Sequence, residues 1–225
     1  MASRRDIPPT ADTYHHGALR EALIAAAETL LREQGLEAFT LRECARRAGV
    51  SHAAPAHHFG DARGLLSACA AAGLARLADT MDGYLSLAPA GDATARLRAV
   101  GQAYIDFALT NRALFQLMFR RDRLDPQDAA LRAAGQRVGD ALRDSIDALL
   151  AERRLPAAER GQRILLAWSL VHGYVTLVLE QQTGELFGLA ADAADSGAAA
   201  SAMGAELLRL LIDGLARPVA APGSA

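Results

Sequence analysis

The sequence predicts an all-α protein, and three observations favour this class. Apolar residues recur at intervals of three and four along most of the 225-residue chain, as they do on one face of an α-helix. Capping residues precede several of these apolar stripes. No segment alternates apolar and polar residues in the way that a half-buried strand does. The length suits a small helical domain followed by a larger one.

The first helix is predicted to begin near Gly17 and to end at Gly35. Before it, residues 1–14 are polar and contain Pro8 and Pro9, which favours a flexible arm. Within the helix, one apolar stripe needs partners to cover it. Its members are Leu19, Leu23, Ala26, Ala27, Leu30 and Leu31.

Two short helices follow, joined by a tight turn. Thr40 and Glu43 match the capping box, in which the threonine hydroxyl and the glutamate carboxylate each bind a backbone N–H at a helix start. Gly49 suits the left-handed turn that ends this second helix. Ser51 is predicted to cap a third helix over residues 52–59.

The rest of the chain predicts further helices separated by short breaks. Asp61 and Asp92 are the expected N-caps of the fourth and fifth helices, and residues 87–91 interrupt the chain between them. A short helix over residues 114–119 precedes a polar linker over residues 120–127. Three more helices are predicted over residues 126–154, 156–182 and 198–216, with a loop over residues 183–197.

Composition argues against several classes of function. The formal net charge is -2, and the longest uncharged stretch, residues 164–179, is shorter than the roughly 20 residues that cross a bilayer. We interpret it as a central buried helix and expect a cytoplasmic protein without a membrane partner, because the chain starts with no apolar run. Cys44 and Cys69 lie at apolar helical positions and are predicted core residues. No catalytic, metal-binding or phosphate-loop pattern is found, so neither an enzyme nor a cofactor is predicted.

The helix pair over residues 40–59 has the form of a helix-turn-helix, whose second helix enters the DNA major groove. The run from Phe39 to Ser51, followed by His57-His58-Phe59 and Leu65-Leu66, closely resembles the DNA-binding domain of the TetR family of bacterial regulators. Residues 107–119 and the Trp168 to His172-Gly173 spacing resemble the subgroup with a WHG-type C-terminal domain.

This resemblance implies a division of the chain. A three-helix helix-turn-helix domain over residues 17–78 is joined to a helical effector-binding and dimerisation domain over residues 79–217. A flexible arm over residues 1–16 and a disordered tail over residues 218–225 complete the expected organisation.

The resemblance also assigns residues to DNA. Thr40 is expected at a phosphate, where the start of a helix favours an anion. Arg42 is also an expected DNA contact, because residues 40–60 carry a local excess of positive charge. Residues 1–60 as a whole carry seven arginines against seven acids. Arg46 and Arg47 in that window could equally be solvated surface residues. Base edges and phosphates are the expected contacts of Ser51, His52, Ala53, Ala54, His57 and His58.

Two positions depart from the family pattern. Ala56 stands where a tyrosine is frequent, and Ala62 stands where a lysine commonly holds a phosphate. Arg63 is the expected substitute for that lysine. The departures leave open an alternative function, a ligand-binding or protein-binding helical dimer that has lost specific DNA binding.

Aromatic residues suggest an effector site in the C-terminal domain. Trp168 and His172 are four residues apart and share a helix face, and Gly173 is expected to let a neighbouring backbone approach. A largely apolar cavity is one interpretation of this set and a plain core is the other. The predicted ligand-binding residues are Tyr104, Phe107, Met118, Phe119, Trp168 and His172.

The last two helices carry more apolar surface than one core needs, which predicts a symmetric helix-pair interface in a homodimer. The two stripes are Leu165, Trp168, Leu170 and Leu177, and Leu207, Leu208, Leu211 and Leu215. The expected function is a ligand-responsive transcriptional regulator, a repressor released from double-stranded operator DNA by a small-molecule effector.

Overall fold

The computed structural model describes residues 11–181 and 197–218, in which every regular element is a helix and no strand occurs. This confirms the all-α class. Residues 1–10 of the predicted arm, most of the predicted loop over residues 183–197 and residues 219–225 of the tail lie outside the described residues. The helices are α1 (Ala11–Gln34), α2 (Leu41–Ala48), α3 (Ala54–Phe59), α4 (Ala62–Leu87), α5 (Ala93–Thr110), α6 (Arg112–Met118), α7 (Ala129–Arg153), α8 (Arg160–Leu179) and α9 (Gly197–Leu215).

α1 begins at Ala11, six residues before the predicted start at Gly17. The polar composition of this stretch does not prevent helix formation, so the boundary placed at residue 16 was wrong. The apolar stripe is covered as expected, with Leu23 and Leu30 fully buried. α1 packs against α2, α4 and α6, and therefore touches both parts of the chain.

The ends of α2 follow the predicted signals, whereas the start of α3 does not. The Thr40 side chain caps α2, and Gly49 ends it with a φ of 68°. α3 starts at Ala54, two residues later than predicted, with Ala53 at the N-cap and no side-chain cap. The Ser51 carbonyl accepts the Ala54 N–H at 3.0 Å, so a turn occupies the predicted first helical residues.

α4 is the central element of the molecule, packing against α5, α6, α7, α1 and α3. Asp61 and Asp92 cap α4 and α5 as predicted, accepting backbone N–H groups at 2.9 and 2.8 Å. α5 also packs closely on α9. The closeness is shown at Gly204, where an added Cβ would lie 2.8 Å from the Ile105 Cδ1 atom. Glycine is required at that crossing.

The linker before α7 is not wholly irregular. Residues Arg121–Arg123 form one turn of 3₁₀ helix, and α7 begins at Ala129, three residues after the predicted start. Asp128 caps it by accepting the Leu131 N–H at 2.7 Å. A second short turn, Ala157–Glu159, precedes α8.

α8 is not the central buried helix that the sequence predicted. Leu165, Leu166 and Trp168 are 61%, 52% and 44% exposed, because the other elements cover α8 on one side only. Within the described chain, Ala157–Leu179 alone is long and apolar enough to pass a compositional test for a membrane span. Its Arg163 is buried and donates to the Leu215 and Arg217 carbonyls at the end of α9, a contact that ties two helices of a protein core.

The predicted interface stripe of α9 was also wrong for most of its members. Leu208, Leu211 and Leu215 are buried within the chain's own core. The exposed face of α9 carries Met203 and Leu210 instead. Gly173 was expected where a neighbouring backbone comes close. A Cβ placed on Gly173 would have no atom of another element within 4 Å among the described residues.

Both cysteines are core residues, as predicted. The Cys44 and Cys69 thiols are buried and donate to the backbone carbonyls of Leu23 and Ile24. Burial raises the pKa of Cys44 to about 11 and raises that of Cys69 further. Both groups are therefore thiols, not thiolates, at neutral pH.

Candidate DNA-binding surface and effector cavity

The start of α2 forms only half of the predicted capping box. The Thr40 hydroxyl oxygen accepts the Glu43 N–H at 3.2 Å. The Glu43 carboxylate does not return to the Thr40 backbone, because it accepts from Arg46 at 2.6 and 2.7 Å and from Arg47 at 3.0 Å. These bonds, first to Arg46 and then to Arg47, lower the pKa of Glu43 to about 2. The Thr40 hydroxyl proton is left to donate outward.

The basic residues of α2 differ in their partners. Arg46 is paired with Glu43, and Arg47 is paired with both Glu43 and Glu33. Arg42 is exposed, and its side chain makes no ion pair or hydrogen bond with any described residue. The cation that this helix offers to a phosphate is therefore Arg42.

The predicted base-reading residues lie on one exposed stretch before and within α3. Ser51, His52 and Ala53 are exposed, and Ala54 is half-buried. His57 is exposed and His58 half-buried, with their ring centroids 5.6 Å apart.

Arg63 does not occupy the position expected of a phosphate ligand. Its guanidinium donates to the Asp122 carbonyl at 3.0 Å and to the Leu124 carbonyl at 3.2 Å. Those carbonyls end the 3₁₀ turn that precedes α7, so they attract the cation toward the C-terminal domain. Arg63 braces the two domains in this structure, which corrects the expectation that it replaces the missing lysine.

Residues 119–125, here called the bridging segment, contact the N-terminal domain at several further points. Arg120 and Arg123 approach Glu37 at 3.7 and 3.9 Å, and Arg123 donates to the Leu36 carbonyl at 3.5 Å. The Ser67 hydroxyl accepts the N–H of Asp125 at 2.8 Å. These contacts join the bridging segment to the α1–α2 connection and to α4.

An apolar cavity of about 290 Å³ lies in the C-terminal domain among α4, α5, α7, α8 and α9. Four predicted ligand-binding residues line it: Tyr104, Met118, Phe119 and Trp168. Phe107 and His172 are not among the lining residues. Phe107 is buried in the core, and His172 lies behind Tyr104. The rest of the wall that the described residues form is aliphatic, methionine or glycine, with one charged residue, Arg121.

His172 fixes the aromatic wall of this cavity. Its ring stacks on Trp168 with centroids 5.0 Å apart and an interplanar angle of 10°, and its Nδ1 lies 2.8 Å from the Tyr104 hydroxyl. Burial lowers the pKa of His172 and raises that of Tyr104, so burial favours the neutral form of both groups. Phe119 lies on the other side, 4.5 Å from the His172 ring centroid.

A second, more open cleft of about 770 Å³ lies between α1, α6 and the end of α8. His172 and Phe119 line this cleft as well, together with charged residues such as Glu28, Arg32 and Arg120. The aromatic cluster therefore separates the apolar cavity from the domain junction.

Sequence reasoning missed the roles of Arg63 and Arg121. Both lie in arginine-containing stretches without a motif, so no spacing distinguished them from solvated residues. The polar run at residues 120–127 was one available signal. A charged linker next to a predicted apolar site can place one of its charged side chains at that site.

The all-α fold, the pair of short helices α2 and α3 and the exposed Thr40 and Arg42 are typical of helix-turn-helix DNA-binding regulators. Two family models match the chain. The one for bacterial regulatory proteins of the tetR family covers residues 23–69, and the one for a tetracyclin repressor-like C-terminal domain covers residues 97–203. The Trp168 to Gly173 spacing lies within the second range.

Curated relatives match part of the chain. The HTH-type transcriptional regulator BetI of Yersinia pestis (strain Pestoides F) is 32% identical over 94 residues, or 42% of this chain and 48% of the relative. BetI of Klebsiella pneumoniae (strain 342) is 37% identical over 81 residues, or 36% and 42% of the two chains. The chain spans about half the length of the curated relatives it matches.

Solved structures match nearly the whole chain. A protein of unknown function from Rhodococcus sp. RHA1 is 32% identical, with a TM-score of 0.70, and the match covers 91% of this chain and 98% of that one. The TetR family transcriptional regulator PfmR from Thermus thermophilus has the same fold, at 20% identity and a TM-score of 0.60, over 96% and 100% of the two chains. The chain belongs to the TetR family of transcriptional regulators, which are not enzymes.

Proposed function

We propose that this protein is a homodimeric repressor that binds double-stranded operator DNA and leaves it when a small molecule enters the apolar cavity. One observation carries the proposal: the bridging segment lines the cavity with Phe119 and Arg121 and is bonded to the N-terminal domain through Arg63 and Arg123. A ligand that displaces this segment changes the position of the helix-turn-helix.

DNA binding is supported by the free groups at the start of α2 and on the stretch before α3. Thr40 offers a hydroxyl proton and Arg42 an unpaired guanidinium, which suit neighbouring phosphates. Ser51, His52, Ala53, Ala54, His57 and His58 are the proposed contacts with bases and the groove wall. Arg63 is left out of this set because its guanidinium binds the Asp122 and Leu124 carbonyls of the bridging segment.

Release of DNA requires a path from the cavity to α2 and α3. Arg63 lies at the start of α4, next to the end of α3, and binds two carbonyls of the bridging segment. Arg123 binds the Leu36 carbonyl in the connection that leads to α2. Movement of one short segment would therefore act on both flanks of the helix-turn-helix, as coupling between the two sites requires.

A homodimer is supported by the uncovered apolar faces of α8 and α9. Leu165, Leu166, Met203 and Leu210 are exposed in the single chain. Apolar side chains on two adjacent helices suit a four-helix interface with a second copy. A two-fold dimer pairs with a near-palindromic operator, whose half-sites lie about one helical turn apart. The protein would act in the cytoplasm, where its DNA lies.

Selection of genomic fragments by the full-length protein, followed by salt-dependent binding to the enriched site, tests the proposal. Arg42→Gln is expected to weaken binding similarly on all sites and to reduce the salt slope by about 2 per dimer, because each phosphate contact contributes about 0.9. Arg98→Gln is the matched control. Arg98 is an equally exposed arginine on α5, far along the chain from α2, and its side chain has no partner among the described residues.

The alternative is a helical dimer that binds a ligand or a protein and has lost specific DNA recognition. Ala56, Ala62 and the occupied Arg63 favour it, since each removes a contact typical of the family. Failure to enrich any fragment over bulk DNA, together with equal salt slopes for Arg42→Gln and Arg98→Gln, would support this alternative and contradict the repressor.

A further inference from the structure

Arg121 is the one charged residue among the described residues that line the apolar cavity. Its side chain forms no ion pair and no hydrogen bond with the described part of the chain. The other polar groups of the wall are the Tyr104 hydroxyl, which is bonded to His172, and the Trp168 indole. A cation therefore stands beside a hydrocarbon-lined space without a counter-charge from the described residues.

The neighbouring arginines show that this lack of a partner is specific to Arg121. Arg120 pairs with Asp122 and approaches Glu37, and Arg123 binds Glu37 and the Leu36 carbonyl. All three arginines belong to the same short bridging segment, but only Arg120 and Arg123 have a carboxylate partner among the described residues. Acidic side chains thus satisfy the arginines that face the N-terminal domain, whereas the one beside the cavity has none among the described residues.

We infer that the effector is an amphiphilic monocarboxylate, with its carboxylate on Arg121 and its hydrocarbon part in the cavity. The guanidinium presents parallel N–H donors that match the two oxygens of a carboxylate. This inference rests on the proposed function, because it names the chemical class of ligand for the same cavity.

The size of the cavity limits the hydrocarbon part. A volume of about 290 Å³ lies at the lower end of the range of about 300–1,000 Å³ typical of ligand pockets, which suits a compact ligand. The aliphatic side chains of Leu74, Val138 and Leu142 offer no partner to further polar groups. A single acid group on a compact apolar body fits this lining.

Other charge types fit less well. A cationic ligand would be repelled by Arg121, and a neutral one would gain nothing from the charge of this exposed guanidinium. A phosphate dianion usually takes several donors, and Arg121 is the sole cation that the described residues contribute to this wall. A carboxylate bound at Arg121 would also pull on the segment that Arg63 and Arg123 hold, which connects recognition of the charge to release of DNA.

The test compares decanoate with 1-decanol and decylamine, which share one tail and differ in charge. Binding to the full-length protein is followed through Trp168, the single tryptophan, and by calorimetry below the aggregation limit of each compound. The proteins are the parent, Arg121→Gln, Arg121→Lys and the control Arg98→Gln, each checked for unchanged thermal unfolding.

We expect decanoate to bind the parent and Arg98→Gln about tenfold or more tightly than 1-decanol, because hydrogen bonds to charged groups are strong. Arg121→Gln should lose this preference and keep its affinity for the alcohol, and Arg121→Lys should retain part of it. Equal affinities in the parent, a preference that survives Arg121→Gln, or no binding of decanoate would each overturn the inference. Release of operator DNA by 1-decanol alone would overturn it and leave the proposed repressor intact.

Discussion

The helix-turn-helix domain and the last two helices differ in how they cover their apolar side chains. In the first, Leu23, Leu30 and Leu65 are fully buried by neighbouring helices of the same chain. In the second, α8 and α9 bury one face each and leave leucines exposed on the other. The comparison teaches that the N-terminal domain covers its apolar stripe within one chain, whereas the C-terminal domain leaves an apolar cavity and an uncovered apolar face.

The largest expected effect tests whether the first domain depends on its own core. Leu65→Ala should lower the free energy of unfolding by about 2–5 kcal/mol, because the side chain is completely buried and its removal leaves a cavity. Leu87→Ala on the same helix is the control, since Leu87 is exposed and should change stability by about 0.5 kcal/mol or less. Urea unfolding at one fixed protein concentration measures both, and similar losses would contradict the contrast.

The next effect tests the apolar face of α8 and α9. Charged side chains in the combined variant Leu166→Glu, Leu210→Glu should turn a dimer into a monomer while the fold is retained, because both leucines are exposed in the single chain. Leu87→Glu introduces the same charge at an exposed leucine outside that face. Sedimentation velocity gives the mass. A dimer that persists in the double variant would remove this face from the interface.

Two of the three glycines that line the cavity, Gly101 and Gly135, should respond in opposite directions to a methyl group. Gly135→Ala should raise stability by about 0.5–1 kcal/mol, because the new Cβ makes an ordinary contact with Leu74 at 3.8 Å and alanine favours the helix. Gly101→Ala should lower stability, since its Cβ would overlap the Leu208 side chain. Thermal unfolding compares them, and a shared sign would show that the walls are not packed as described.

The smallest effect concerns the pH dependence of stability. Burial lowers the pKa of His172 in the folded state, so the unfolded chain binds more protons between the folded value and its own value of about 6.5. The contribution of neutral His172 to the free energy of unfolding is complete above about pH 6.5. This contribution is lost as the pH falls through the lowered pKa of the folded state. His172→Gln should make the loss of stability from about pH 7.5 to about pH 5.5 shallower, whereas His52→Gln at an exposed site should leave it unchanged. Urea unfolding at several pH values measures the effect. Parallel curves of stability against pH for the parent and His172→Gln would contradict this role of His172.

Local signals predicted the helices well where a side chain caps its own backbone. Thr40, Asp61 and Asp92 each cap the helix that follows, and Gly49 ends α2 in the left-handed conformation. These features depend on residues three or four positions apart, which the sequence displays directly. Ser51 is the exception, because a turn competes for the same backbone and delays α3 to Ala54.

Side-chain partners across domains were beyond the reach of the sequence. Arg63 and Leu124 are 61 positions apart, and the donation of the arginine to that carbonyl exists only because α4 and the bridging segment meet in space. The same holds for Arg121. Its side chain has no described partner because the nearby carboxylates pair with the neighbouring arginines.

The sequence alone determined the all-α class, the order of the helices and the family, because period, caps and motif are local properties. Tertiary structure decided which leucines of α9 enter the core, which of the predicted ligand-binding residues face open space, and which of the described arginines remain unpaired. A helical stripe shows that one face is apolar but not which element covers it. That depends on how α5, α8 and α9 cross, and the lack of a side chain at Gly204 permits the close approach of α5 and α9.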